Sequence, residues 1–347
     1  MAVFAAKSAP VKPNIVLVVV DRLPAWVLGA YGNAEIRTPR IDLIAKTGTR
    51  FTTHVVAAPA PEPGRASLSG GIDKTLAGAG YATGSVDLGE AVKFIDQHEA
   101  GKLFLLIASD ASLRPPYGAV SPAYAQVKFE TLNLERAAAP NAREGKEMLS
   151  DIIGSMRKAA SAISAVDERV GAIYDKLTQK RLLDNTLIVI TGSCGALLGR
   201  HGLWDAAAAS DPPNMFEEAV VTPMIWSWPG RVPAQGTRPE VIGSYDLAPT
   251  LAEAVGAEAG GGRSYLALAT GKPLPKKQPW QTIVFARFQN TGMARDHRYK
   301  IVLRDQGQGE LYDLVEDPVE KVNQFDNPQF LTVKDSLSRS YASWKQR

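Results

Sequence analysis

The sequence predicts an α/β fold: a mostly parallel central sheet flanked by helices, with a small C-terminal antiparallel subdomain. Three observations predict it. NIVLVVVD (14–21) and TLIVIT (186–191) are continuous apolar, β-branched runs, the pattern of parallel strands buried on both faces. Helical and strand patterns alternate between them, as in strand–helix–strand units. Beyond about residue 275 the texture changes to short alternating runs.

The first strand is bounded by Pro13 and Asp21, which places Asp21 at its C-terminal end, where open α/β sheets bind their ligands. Thr38-Pro39 opens a short amphipathic helix with Ile41, Ile44 and Ala45 on its apolar side and a stop at Gly48. Phe51 to Val56 reads as extended and runs into the Pro-rich turn APAPEPGR, with the next helix starting near Arg65. Residues 74–80 are expected as a helix, 81–86 as a strand, 88–98 as a helix and 103–109 as a strand ending at Asp110. The polar, Ala/Pro-rich stretch 121–146 reads as a surface excursion. A long amphipathic helix follows over about 146–179, with Ile152, Met156, Ile163, Val166, Val170, Ile173 and Leu177 at helical spacing. TIVFARF, YKIVLR and GELYDL are expected as antiparallel strands and 332–345 as a closing helix. The domains expected are 12–275 for the α/β unit and 276–347 for the C-terminal unit.

Composition bounds the function classes. Of 347 residues, 39 are Lys or Arg and 36 Asp or Glu, a net charge of +3, and the basic residues are dispersed; nucleic acid is not an expected partner. The longest early apolar run, Ile15 to Val20, is far shorter than the ~20 residues a bilayer requires. MAVFAAKSAP lacks the charged and apolar regions of a secretory leader, so any export signal is expected to lie outside this sequence, and the compartment is left open. Cys194 is the single cysteine, which excludes an internal disulfide.

Seven blocks of the sequence carry a family likeness: PNIVLVVVDRLPAWVLGAYGN, RTPRIDLIAKTGTRFT, GRASLSGG, DNTLIVITGSCGALLGRHGLW, MFEEAVVTPMIWSWPGRV, DLAPTLAEAVG and HRYKIVLRDQGQGELYDLVEDP. In this order they resemble the sulfatase family of the alkaline phosphatase superfamily, over nearly the whole chain. The resemblance implies a nucleophile within a Cys/Ser-x-Pro-x-Arg signature, converted to formylglycine and activated beside a divalent cation. Pro63 and Arg65 match that signature's Pro and Arg, which puts Pro61 at the nucleophile. Proline carries no heteroatom to convert. Glu62 is one residue out of place, and Ser67 matches a Ser that supports the family's helix.

The cation's positions depart from the family in the same way. Ca²⁺ or Mg²⁺ wants several hard oxygen ligands. Asp21 survives, but Arg22 follows it, and the Ser-Asp-His-Gly or Ser-Asp-Asn-Gly pattern reads Gly192-Ser193-Cys194-Gly195. Asp21, Arg22, Ser193 and Cys194 are thus vestigial metal positions; no cofactor is expected, and a divalent cation only were the site intact. An Asp21–Arg22 ion pair in the metal's place is expected. The family's Lys and His of a Gly-Lys-Trp-His block fall at Gly84-Ser85-Val86-Asp87, a further His near Leu113 and a further Lys near Pro212. The stretch from Gly70 to Leu103 is shorter than in typical relatives.

Arg65, Arg22 and His201 remain as candidate anion-binding residues. For Arg65 the blander role is pairing with Asp21 or backbone carbonyls, for His201 a backbone hydrogen bond in its loop. Cys194 reads as a small buried filler, and His54, His98 and His297, scattered singly, as surface residues. The expectation is a pseudoenzyme serving as a structural or docking subunit beside other proteins. Alternatives are a non-hydrolytic binder of a small sulfated or phosphorylated ligand, or a sulfuric or phosphoric ester hydrolase with a relocated nucleophile. The 119–142 excursion and the 205–213 loop, DAAAASDPP, are the expected contact surfaces.

Overall fold

The computed structural model describes residues 12–346; the segment on which the leader expectation bears, and Arg347, lie outside them. Its strands are β1 Asn14–Val20, β2 Thr49–Val55, β3 Ala82–Asp87, β4 Phe104–Asp110, β5 Thr186–Gly192, β6 Val221–Ser227, β7 Gly236–Gly243, β8 Val284–Phe288, β9 Thr291–Arg295, β10 Tyr299–Arg304 and β11 Glu310–Asp313. The α-helices are α1 Pro39–Lys46, α2 Pro61–Ser69, α3 Ile72–Gly78, α4 Ala91–Gln97, α5 Ile152–Gln179, α6 Glu217–Val220, α7 Leu247–Ala254, α8 Leu266–Ala269 and α9 Leu331–Lys345.

The seven-stranded sheet has the order β3-β4-β1-β5-β6-β2-β7, and β6 alone runs against the others. β1 is central and every residue of it is buried, because its two faces serve two cores. Val16, Val18 and Val20 face a layer that includes α5, whose Met156, Ile163, Val170 and Leu177 recur at helical spacing. Ile15, Leu17 and Val19 face the layer of Leu68, Ile72, Leu76 and Leu251 on α2, α3 and α7.

β8–β11 form an antiparallel sheet in the order β11-β10-β9-β8. One face packs Val284, Ala286, Met293 and Val302 against Val55, Val220 and Val241 of the large sheet's side. The other is covered by Leu337 and Tyr341 of α9.

Several elements differ from expectation. α2 starts at Pro61, not at Arg65, because Pro61 occupies the first helical position, where proline's fixed φ fits and its missing N–H is not needed. The long helix begins at Ile152, after a 3₁₀ stretch over Lys146–Asp151, with Asp151 accepting from the Gly154 N–H at 2.9 Å. β9 was not expected: TGMAR lacks β-branched bulk, and tertiary burial between β8 and β10 makes it a strand. Among the described residues no helix is long and apolar enough to cross a membrane.

Candidate functional site

Two strand ends and one helix meet where the family places its chemistry. β1 delivers Asp21, β5 delivers Ser193 and Cys194, and α2 starts with Pro61 and carries Arg65 one turn on. The helix sits close because Gly64 has no side chain: a Cβ there would lie 1.8 Å from the Ser193 carbonyl oxygen.

Asp21 is 2% exposed and both of its carboxylate oxygens are engaged. Oδ1 accepts from Ser193 Oγ at 2.6 Å, and Oδ2 pairs with Arg65 Nη1. The expected Asp21–Arg22 pair is not formed. Arg22 has φ 59°, which turns its side chain away, and its Nε donates to Asp205 Oδ1 at 2.5 Å. Burial disfavours the Arg22 charge, but Asp205 outweighs it and raises its pKa. The Arg65–Asp21 pair is the structural role expected of Arg65, and Arg22–Asp205 replaces the expected Asp21–Arg22 pair. Sequence gave no signal for Asp205, which lies 183 residues from its partner.

Cys194 is fully buried and its thiol is pushed up to about 12 by that burial, the inert filler expected. Ser67 Oγ bonds the Gly64 carbonyl at 2.8 Å and Ser244 Oγ at 2.7 Å, a helix-supporting position, while Glu62 is exposed on the first turn of α2.

His201 lies elsewhere. Its ring stacks on Phe216 at 3.7 Å between centroids, and its Nε2 lies 3.2 Å from Glu218 Oε2. The expected backbone bond is thus replaced by a side-chain pair. Burial alone would raise the Glu218 carboxyl, but the hydrogen bond from His201 and the charges of His201 and Arg200 hold it at about 2. Arg65, Arg22 and His201 do not converge: Arg65 and His201 line different hollows, and Arg22 faces Asp205.

The 205–213 loop is also not the surface expected. Asp205, Ala206, Ala207, Ala209 and Ser210 are buried. The excursion closes over it: Glu135 N–H bonds the Gly199 carbonyl at 2.8 Å, Ala139 N–H that of Gly202 at 2.9 Å and Arg143 N–H that of Ala209 at 2.7 Å. His54, expected at the surface, is wholly buried on β2, where Nδ1 lies 2.8 Å from Thr222 Oγ1 and desolvation drives its pKa down to about 3. Its strand sits between β6 and β7 and has no free edge. His297 is exposed and His98 half-buried.

Among the described residues no three His, Cys, Asp or Glu side chains are grouped to hold one cation. The donors at the ends of β1 and β5 are one carboxylate, bonded on both oxygens by Arg65 and Ser193, a hydroxyl and a buried thiol, a poor set for a hard divalent ion.

Family comparison agrees with the topology. The model described as Sulfatase matches residues 13–90 and 88–257, and that described as N-sulphoglucosamine sulphohydrolase, C-terminal, matches 199–347. The chain belongs to the sulfatase family, within the alkaline phosphatase superfamily. Over 181 residues, 50% of this chain, it is 29% identical to the choline-sulfatase of Rhizobium meliloti (strain 1021), and the match spans about a third (34%) of that protein's length. A solved protein in complex with its substrate D-glucosamine-2-N,6-O-disulfate shares the fold with a TM-score of 0.82 at 18% identity, over 96% of this chain and 98% of that one. The phosphonate monoester hydrolase of Agrobacterium radiobacter does so with a TM-score of 0.80 at 16% identity, over 96% of each chain.

Proposed function

We propose that this chain is a non-hydrolytic member of the sulfatase family, kept as a structural or docking subunit of a larger assembly. The observation that carries it is the state of Asp21. Its two oxygens are held by Arg65 and Ser193, so the carboxylate that a cation would need is already neutralised inside the protein. Pro61, at the start of α2, offers no oxygen to attack a sulfur or phosphorus centre, and Arg22 brings a second fixed positive charge to the same strand end. The exposed 119–142 excursion, anchored by buried Tyr124, Phe129 and Leu132, is the surface proposed to meet a partner.

The test is an assay of the purified protein against aryl sulfates, phosphate monoesters and phosphonate monoesters with Ca²⁺, Mg²⁺ and Mn²⁺ in turn. No turnover above the uncatalysed rate is expected. Metal-dependent turnover that disappears in Asp21→Ala would establish an active sulfuric or phosphoric ester hydrolase instead.

A further inference from the structure

A hollow of about 350 Å³ opens on one face of the large sheet, over β1, β4 and β3 and beside α2 and α3. The chain itself explains it. After α3 the backbone passes through edge strand β3 directly to α4, and Phe94 of α4 packs under β3 at Gly84, on the opposite face. The segment 79–103 therefore supplies no helix to cover the C-terminal half of β3 and β4 on the α2–α3 side. Leu17, Val19, Leu105 and Ile107 form the floor of the gap, with Ile107 only half-buried.

Charges of both signs border this apolar floor. Arg65 on α2 is 33% exposed, and its Nη1 alone is bonded among the described residues, which leaves Nε and Nη2 able to donate. Asp73, in the first turn of α3, is exposed and has no side-chain partner among the described residues. Ser85 and Ser109 line the opposite wall, from β3 and β4.

We infer that this lateral hollow is a binding site for a small zwitterion, its anionic group on Arg65, its ammonium group on Asp73 and a compact apolar body on the floor of β1 and β4. A lone anion would gain Arg65, whose charge is already shared with Asp21, and would meet Asp73 uncompensated. A lone cation would leave the Arg65 donors without an acceptor. A ligand with both charges engages each group while covering the apolar floor. Arg65 is shared with the strand-end cluster, but the inference uses only its Nε and Nη2 and stands whether or not the chain hydrolyses esters.

Calorimetric titration of the intact protein with three probes of one shape tests it: phenylalanine with both charges, 3-phenylpropionate with the anion alone and phenethylamine with the cation alone. Phenylalanine is expected to bind at least about tenfold more tightly than either. Asp73→Asn, at an exposed position, is expected to abolish its advantage over 3-phenylpropionate, and Ser85→Trp, which fills the hollow from the edge strand, to weaken it about tenfold or more. Unchanged melting temperatures establish that both variants are folded. Absence of saturable phenylalanine binding, equal binding of all three probes, or binding indifferent to Asp73→Asn would each overturn the inference.

Discussion

Lys300 offers the most direct measure of what joins the two sheets. The side chain rises from β10 and is 0% exposed. Its Nζ donates to the Met215 carbonyl at 2.7 Å and to Glu217 Oε1 at 3.1 Å, and it pairs with Glu320. Burial disfavours its charge, but Glu320 and Glu217 outweigh that and raise its pKa. Removing one partner of a buried pair costs about 3–5 kcal/mol, because the remaining charge stays desolvated. For Lys300→Met the lower end, about 3 kcal/mol, is expected at pH 8, since Glu217 keeps Arg295 and only Glu320 is stranded. Burial already raises the Glu320 pKa. An acid with a raised folded pKa binds its proton more tightly folded than unfolded, so the stability linked to it is present at low pH and lost as pH rises through the folded value. The Lys300→Met deficit should therefore shrink at pH 5. Glu320→Gln in the same chain keeps an oxygen that can accept the Glu217 N–H, which Glu320 Oε2 accepts at 2.7 Å, and removes the stranded charge. It should recover about 1–2 kcal/mol. Urea unfolding midpoints of wild type, both single variants and the double variant at the two pH values give the cycle. A Lys300→Met loss below about 1 kcal/mol at pH 8, or a cycle without coupling, would refute the account.

Three more outcomes are expected. Gly64→Ala pushes a methyl group to 1.8 Å from the Ser193 carbonyl oxygen, so α2 must withdraw from β5; a loss of about 2 kcal/mol or more is expected in urea unfolding, while Ala66→Ser on the exposed side of the helix should stay within about 0.5 kcal/mol. His54 is held neutral down to about 3, whereas the unfolded imidazole takes its proton near 6.5, so stability present above 6.5 is lost as pH falls towards 3. Against wild type, His54→Gln should remove a slope of up to about 1.4 kcal/mol per pH unit between pH 6 and 4, read from unfolding midpoints. Pro61→Cys, even when oxidised to formylglycine as mass spectrometry would reveal, should give no Ca²⁺-dependent hydrolysis of aryl sulfates, because Asp21 remains paired with Arg65; turnover from this single change would show that proline alone silences the site.

The fold was legible because β1 and β5 carry unbroken apolar runs, Ile15 to Val20 and Leu187 to Ile190, a pattern with no competing solvent-facing interpretation. Strands such as β9, made by their neighbours rather than by their own propensity, were not. At the site, the positions of Asp21, Pro61, Arg65 and Ser193 followed from the order of the blocks. The pairing of Arg65 with Asp21 and the burial of Cys194 followed too, but the partner of Arg22 did not. Arg22 is adjacent to Asp21 in sequence, yet the positive φ at Arg22 sends it to Asp205, and the pairing falls to Arg65, 44 residues away. The same limit hid His54 and the 205–213 loop: a lone His and an Ala-rich loop look solvent-facing until the sheet order and the excursion above them are known.

On the proposed reading, charge balance would hold the strand ends together without an ion. A divalent site sets several carboxylates around one cation, and removing the ion leaves them repelling one another. Here Asp21 and Asp205 stand against Arg65 and Arg22, two charges of each sign around the cleft, with Ser193 taking a remaining lone pair of Asp21. Each guanidinium is fixed by its own carboxylate, so the cluster is neutral by itself and a bound metal would add uncompensated charge to it. The cluster also ties β1 to α2 through Arg65, to β5 through Ser193 and to the 205 loop through Arg22, linking the elements around the cleft by hydrogen bonds that stand whether or not a substrate is ever present. Under the proposed function, selection for a stable core and selection for chemistry part company at this place, because these pairs serve the first and occupy the carboxylate that the second would use.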